Sequence, residues 1–86
     1  MSETKKVYRK VYITVDEGFI YPFIPGTVLD IHVKKGDKIE IGDKLYVLEA
    51  MKMKNEVLSP VEGTVKNINV KVGQRVSKNE VILEIG

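Results

Sequence analysis

The hydrophobic and polar positions of this 86-residue chain indicate a succession of short β-strands from Phe19 onward. Most apolar residues are valine or isoleucine, and no segment has the sustained three- and four-residue apolar spacing of an amphipathic helix. Glycines and prolines separate the apolar runs at turn-like intervals. The pattern predicts a small all-β sandwich or barrel. Its predicted strands cover residues 19–24, 27–33, 38–40, 45–50, 53–58, 63–70, 74–76 and 81–85.

An internal repeat organises these strands, because residues 26–49 align with residues 63–86 at a constant offset of 37 positions. Seven aligned positions are identical: Gly26/Gly63, Thr27/Thr64, Val28/Val65, Ile31/Ile68, Val33/Val70, Lys34/Lys71 and Gly36/Gly73. Four short strands per copy are too few to enclose a core, so the two copies are expected to bury their apolar faces against each other. The repeat therefore predicts a pseudo-twofold sandwich of two four-stranded antiparallel sheets.

The first strand of each copy has an irregular alternation. Leu29, Ile31 and Val33 share one face of that strand, whereas Val28 falls on the opposite parity. Val65 has the equivalent position in the second copy. If both valines are buried, a β-bulge or sharp bend must follow each of them.

Composition narrows the classes of function. A hydrophobic fraction of 43% is sufficient for a core, and the absence of cysteine excludes disulfides, thiolate metal sites and cysteine nucleophiles. The net charge of +2 comes from interspersed acids and bases, so no domain-wide basic face predicts a nucleic-acid partner. We find no apolar run of membrane-spanning length and no leader-like segment, and we expect a cytoplasmic protein without membrane insertion.

The N-terminal segment differs from the rest of the chain. We expect residues 1–18 to be a tail or linker and residues 19–86 to be the folded domain. The basic stretch 5–10 is interpreted as solvated rather than as a nucleic-acid or membrane contact. Residues 11–15 have a strand-forming composition, which is compatible with an added edge strand or with the end of a linker.

The segment between the two copies contains Glu49-Ala50-Met51-Lys52-Met53. The apolar runs on its two sides are long enough to pair as a hairpin with Met51 and Lys52 at the tip. Two-residue hairpin loops need positive φ and prefer Asn-Gly, so Met-Lys is expected to cost about 1–3 kcal/mol of backbone strain. The matching turns at Gly36 and Gly73 use glycine instead. Natural sequences break local rules where function demands it, which makes Lys52 the candidate functional residue.

The two methionines allow two interpretations. Methionine usually fills gaps in cores, and Met51 and Met53 would then be core residues beside a solvated lysine. Alternatively, their spacing directs both to one side and Lys52 to the other, so they would present a soft apolar patch next to an outward-pointing amine.

These residues resemble the biotinyl domain of biotin-dependent carboxylases and decarboxylases. The resemblance covers residues 24–86 and rests on residues 50–53, on the preceding Pro25-Gly26-Thr27-Val28 and on the following 60–65. It implies a flattened barrel-sandwich hybrid in which biotin is attached to the ε-amino group of Lys52 by a separate biotin protein ligase. Glu49, Ala50, Met51 and Met53 would flank the acceptor and be read by the ligase and by partner enzymes.

The resemblance also implies a carrier rather than an enzyme, with no catalytic residues and no metal ligands. The biotin arm would shuttle carboxylate between biotin carboxylase and carboxyltransferase or decarboxylase subunits. Gly26 to Gly36 and Gly63 to Gly73 are equal steps, which leaves no room for the "thumb" insertion of many bacterial acetyl-CoA carboxylase carriers. Residues 21–26 and Lys54 depart from the commonest family pattern. We expect this departure to affect the choice of partner rather than the modification of Lys52.

Two other classes share features with this chain. Lipoyl domains have the same fold and repeat, but their acceptor lysine typically stands in Asp-Lys-Ala rather than Met-Lys-Met. Unmodified barrel-sandwich adaptors, as in the membrane fusion proteins of exporters, lack the acceptor motif. A free-standing enzyme is the least favoured class, because no catalytic constellation is found.

Overall fold

The computed structural model describes residues 9–12, 15–16 and 18–86, with side chains from residue 18 onward. Strands and turns make up these residues. The strands are β1 (Arg9–Tyr12), β2 (Val15–Asp16), β3 (Phe19–Ile20), β4 (Gly26–Ile31), β5 (Lys38–Ile39), β6 (Lys44–Ala50), β7 (Met53–Leu58), β8 (Gly63–Ile68), β9 (Arg75–Val76) and β10 (Leu83–Ile85). The described part holds no helix with the length and apolarity that a bilayer crossing requires.

The strands form two sheets, with the orders β1-β7-β6-β4-β9 and β2-β3-β10-β8-β5. The eight strands from β3 onward form two four-stranded antiparallel sheets, which confirms the predicted all-β sandwich. Strand β1 extends the first sheet by pairing parallel with β7, and β2 extends the second by pairing antiparallel with β3.

The sheets reproduce the sequence repeat at the level of strand register. Gly26 pairs with Val76, and the positions 37 residues away, Gly63 and Ile39, form the equivalent pair in the other sheet. Each copy of the repeat therefore contributes one short strand, β5 or β9, to the sheet built around the other copy's first strand. Neither sheet is complete without both copies.

Both first strands contain the predicted bulge. Val28 and Val65 are buried, and the register shifts after each of them. The extra residue is Leu29 in β4 and Lys66 in β8. Leu29 and Ile31 are both half-buried, but only Ile31 is among the residues packed against the core cluster, so the expectation that the two share one face was wrong. The bulge breaks the alternation from which that expectation was drawn.

Some strands are shorter than predicted. The predicted strand 19–24 ends after Ile20, because Pro22 has no N–H to donate to a ladder. The last strand begins at Leu83 rather than at residue 81. Strands β1 and β2 lie within the N-terminal segment that the sequence left open between linker and edge strand, and residues 1–8, 13–14 and 17 lie outside the described part. The boundary at residue 18 stays a prediction.

The core lies between the two sheets and is built from branched aliphatic residues with one tyrosine. Its fully buried members come from both copies of the repeat and from the segments that flank them: Ile20, Val28, Leu45, Tyr46, Leu48, Val57, Val65, Val76, Ile82 and Leu83. The packed sandwich holds the β6–β7 hairpin on a rigid base, and this hairpin carries the candidate site.

Candidate functional site

The candidate site is the tip of the hairpin formed by β6 and β7. Ala50 pairs with Met53, and Glu49 pairs with Lys54, so Met51 and Lys52 form a two-residue loop. This confirms the hairpin predicted from the apolar runs on either side. The lysine therefore lies at the end of a regular ladder and not on an irregular coil.

Both loop residues have left-handed backbone conformations. The φ angles are 54° at Met51 and 63° at Lys52, as a type I′ hairpin turn requires. Among the residues that the structure describes, they are the only non-glycine residues with positive φ. The turns at Gly36 and Gly73, with φ of 96° and 92°, reach the same region without a side chain. The predicted strain, about 1–3 kcal/mol for the pair, is therefore located at the lysine and its neighbour.

The side chains at the tip point away from the core. Met51 is 80% exposed and Met53 is 44% exposed, so neither is a core residue. Lys52 and Glu49 are also exposed, whereas Ala50 is buried. Of the two interpretations of the methionines, the structure matches an apolar patch beside an outward-facing amine.

The base of the turn is packed closely against β4. Ala50 belongs to the core cluster, and Gly26 lies directly beneath it. A Cβ atom on Gly26 would overlap the carbonyl oxygen of Glu49 and approach the Cβ of Ala50 to 3.2 Å. The tip is thus held by a glycine whose missing side chain permits the close approach of two backbones.

A buried polar side chain also supports the turn, and sequence analysis missed it. The side chain of Asn55 is fully buried, and its Nδ2 donates to the carbonyl oxygens of Leu48, at 3.1 Å, and Met53, at 3.3 Å. The alternation along β7 could have indicated it, because Asn55 lies on the same face of the strand as Val57. An amide at such a core position is unusual.

Charged residues follow the tip on the outer face of the same sheet. Lys54, Glu49, Thr27 and Arg75 are cross-strand neighbours in one row over four strands. Further from the tip, the Lys44 Nζ lies 3.4 Å from the carboxylate of Glu56. Polar side chains therefore continue along this sheet from the apolar methionines at the tip.

The chemistry available at the tip is that of a single amine. Within residues 50–53 only Lys52 carries a titratable group, and its neighbours are methionine and alanine. Such a tip contains no base or acid of its own for a reaction. It can present a nucleophile to another protein, with a flexible four-carbon stem that extends its reach.

Comparisons with known proteins agree with this geometry. Residues 21–85 match the family described as "Biotin-requiring enzyme". Mitochondrial pyruvate carboxylase of Mus musculus is 45% identical over 72% of this chain, and the biotin carboxyl carrier protein of Streptococcus mutans is 40% identical over 72%. The dihydrolipoyllysine-residue acetyltransferase component of the Mycoplasma capricolum pyruvate dehydrogenase complex is 40% identical over 70% of the chain. The matches cover 5%, 48% and 14% of these relatives, respectively.

A solved structure also shares this fold. The urea carboxylase of Kluyveromyces lactis superimposes with a TM-score of 0.74 and 27% identity, covering 99% of this chain and 7% of that protein. The internal repeat, the two four-stranded sheets and the match over residues 21–85 lead to one conclusion. This chain belongs to the biotinyl/lipoyl domain family.

Proposed function

We propose that this chain is a biotin carboxyl carrier domain and that Lys52 is its biotinylation site. The observation that carries the proposal is an exposed lysine held in a left-handed hairpin turn, although glycine and asparagine are the residues that suit this conformation. A chain under selection for stability alone has no reason to keep Met-Lys at that position. The exposed side chain fits covalent attachment, because Lys52 is open to solvent at the end of the hairpin.

The attachment reaction defines what the domain must provide. The Lys52 Nζ would form an amide with the activated carboxyl carbon of biotin, while the leaving group departs and the amine loses a proton. The base would come from a biotin protein ligase, because the tip has no second titratable group. Met51, Met53, Ala50 and Glu49 would contribute the recognised shape. A folded turn loses less conformational entropy on docking than a flexible peptide, which favours recognition of the hairpin itself.

The role of the domain afterwards would be transport. Bound biotin supplies a carrier for carboxyl groups, and the chain would move it between the biotin carboxylase and the carboxyltransferase or decarboxylase of a larger assembly. Its relatives include pyruvate carboxylase and a biotin carboxyl carrier protein, which supports partners of this kind. The chain would act as a non-catalytic component, and its cytoplasmic location stays a prediction.

A lipoyl carrier is the second candidate. The 40% identity to a lipoyl-bearing acetyltransferase component is close to the identity to the carrier protein, so overall similarity does not separate the two functions. The acceptor context favours biotin, since the lysine stands between methionines and not between aspartate and alanine.

Intact mass after incubation with purified ligases tests the proposal. With biotin, ATP and a biotin protein ligase, we expect the chain to gain the mass of one biotinyl group and to bind avidin. Lys52→Arg should remain unmodified, whereas Lys54→Arg, a matched change two residues away, should be modified as the wild type is. A gain only with a lipoate ligase would favour the second candidate. A chain modified by neither enzyme would contradict both and favour an unmodified adaptor.

A further inference from the structure

We infer that Asn55 is a positioning residue that holds the acceptor turn in its left-handed conformation. The inference rests on the proposed function for its link to modification, because Asn55 would act on the ligase only through the shape of the tip. Its side chain is fully buried beneath the hairpin and donates to two backbone carbonyls, those of Leu48 on β6 and Met53 on β7. One amide thus joins the two strands directly beneath the loop.

The offset of 37 positions also relates strand pairs beyond the aligned copies, since Tyr46 pairs with Val57 in the first sheet and Leu83 pairs with Ile20 in the second. Subtracting 37 from Asn55 gives Gly18, and adding 37 to Leu48 gives Ile85. Gly18 and Ile85 are hydrogen-bonded neighbours in the second sheet, just as Asn55 and Leu48 are paired in the first. At Gly18 a side chain would overlap the carbonyl oxygen of Ile85. The equivalent position of the second sheet therefore has no room for a side chain, and of these two positions only the one beneath the Met51-Lys52 loop carries an amide.

The geometry explains why the loop needs this support. Met51 and Lys52 both have positive φ without being glycine, so the turn has a tendency to relax. Met53 is the residue that follows the loop, and its carbonyl oxygen is fixed by the Asn55 amide at 3.3 Å. Because the amide also bonds to Leu48 at 3.1 Å, the end of the loop is tied to the opposite strand. Removing the amide leaves both carbonyls without this donor and lets the tip sample other conformations.

The test compares full-length Asn55→Ala and Asn55→Ser with Ser59→Ala. Ser59 is a matched control, because it is also fully buried after β7, with its hydroxyl donating to the carbonyl oxygen of Val61 at 2.6 Å. It lies beyond the end of β7 that is remote from the tip. All three variants would be assayed at a temperature at which circular dichroism shows them to be folded.

The first readout is steady-state modification by a biotin protein ligase. If the tip is competent for only part of the time, the apparent affinity falls by that fraction, so we expect Asn55→Ala to raise KM about tenfold with kcat nearly unchanged. Asn55→Ser, which can donate to one carbonyl, should be intermediate, and Ser59→Ala should match the wild type. A wild-type KM for folded Asn55→Ala would overturn the inference, as would an equal rise in Ser59→Ala. If Asn55→Ala does not fold, Asn55→Ser decides by the same comparison.

The second readout does not need the ligase. Amide hydrogen exchange at residues 50–53 should accelerate in Asn55→Ala and stay unchanged in Ser59→Ala. If the wild-type chain is not modified at all, the proposed function fails, but this exchange comparison still decides the role of Asn55. Unchanged protection at the tip of Asn55→Ala would overturn the inference.

Discussion

At the scale of single residues, the tip combines strain and exposure. Met51 and Lys52 adopt a backbone conformation that their side chains disfavour, and both are open to solvent. Neither residue gains burial in return, so the conformation is maintained by what lies beneath it: the close contact with Gly26 and the amide of Asn55. The residues that define the site are thus distinct from the residues that stabilise it.

The methionines offer a direct test of this separation. We expect the double variant Met51→Leu/Met53→Leu to change the free energy of unfolding by no more than about 0.5 kcal/mol, because both side chains are substantially exposed. Urea unfolding followed by circular dichroism measures this. The same variant should be modified more slowly if the ligase reads the thioethers. A loss of several kcal/mol would show that the methionines support the core.

Tyr46 gives a prediction about alkaline pH. The residue is fully buried, and burial raises the pKa of its hydroxyl above the ordinary value. As the pH rises, the unfolded chain therefore loses this proton at a lower pH than the folded chain does. The contribution of the neutral hydroxyl to the free energy of unfolding is complete below about pH 10. Above that pH it falls by up to about 1.4 kcal/mol per pH unit. Unfolding measured at several alkaline pH values should show a shallower decline in Tyr46→Phe than in the wild type.

The control for this experiment is Tyr21→Phe, at a half-buried tyrosine. It should retain the wild-type decline, since Tyr46 is still present. At neutral pH, Tyr46→Phe should leave stability unchanged or raise it by up to about 1 kcal/mol, because the hydroxyl has no hydrogen-bond partner among the described residues. An equal alkaline decline in Tyr46→Phe would contradict the assignment of this effect to Tyr46.

At the scale of elements, the β6–β7 hairpin lacks the glycine that the turns at Gly36 and Gly73 use to reach positive φ. Replacing Met51-Lys52 with Asn-Gly supplies the preferred residues of a type I′ turn. We expect Met51→Asn/Lys52→Gly to raise the free energy of unfolding by about 1–2 kcal/mol while abolishing modification. Urea denaturation compares it with Lys52→Gly alone, which should gain about half as much. A double variant that is no more stable than the wild type would mean that the turn is not strained.

Most strands could be predicted from the sequence, because a pattern that occurs in both copies of the repeat is stronger evidence than the same pattern in one copy. Val28 and Val65 predicted a bulge only because both copies show the same break in parity. The face predicted for Leu29 was wrong, because the alternation of apolar and polar residues does not reveal which residue the bulge adds. The parallel pairing of β1 with β7 joins segments far apart in sequence, and no local pattern encodes such a partner. Asn55 was missed because its role depends on two carbonyls that only the folded hairpin brings together.

At the scale of the whole molecule, the exchange of short strands makes the two copies interdependent. Strand β9 of the second copy pairs with β4, and β5 of the first copy pairs with β8. Residues from both copies also share one core cluster. A local loss of structure in one copy removes an edge strand from the other sheet, so partly folded halves should not be populated. The position of Lys52 therefore depends on contacts throughout the domain.

Val28→Ala and Val65→Ala test this interdependence, because they remove the same groups from equivalent positions that are 0% and 1% exposed. Each truncation should destabilise the domain by about 1–3 kcal/mol through lost burial and the cavity left behind. If the copies unfold as one unit, both variants should show a single transition with a denaturant slope like that of the wild type. Hydrogen exchange should then accelerate for the most protected amides of both sheets, whichever copy carries the substitution. Faster exchange confined to the mutated copy would show that the halves unfold separately, and that the hairpin can lose its support while the rest stays folded.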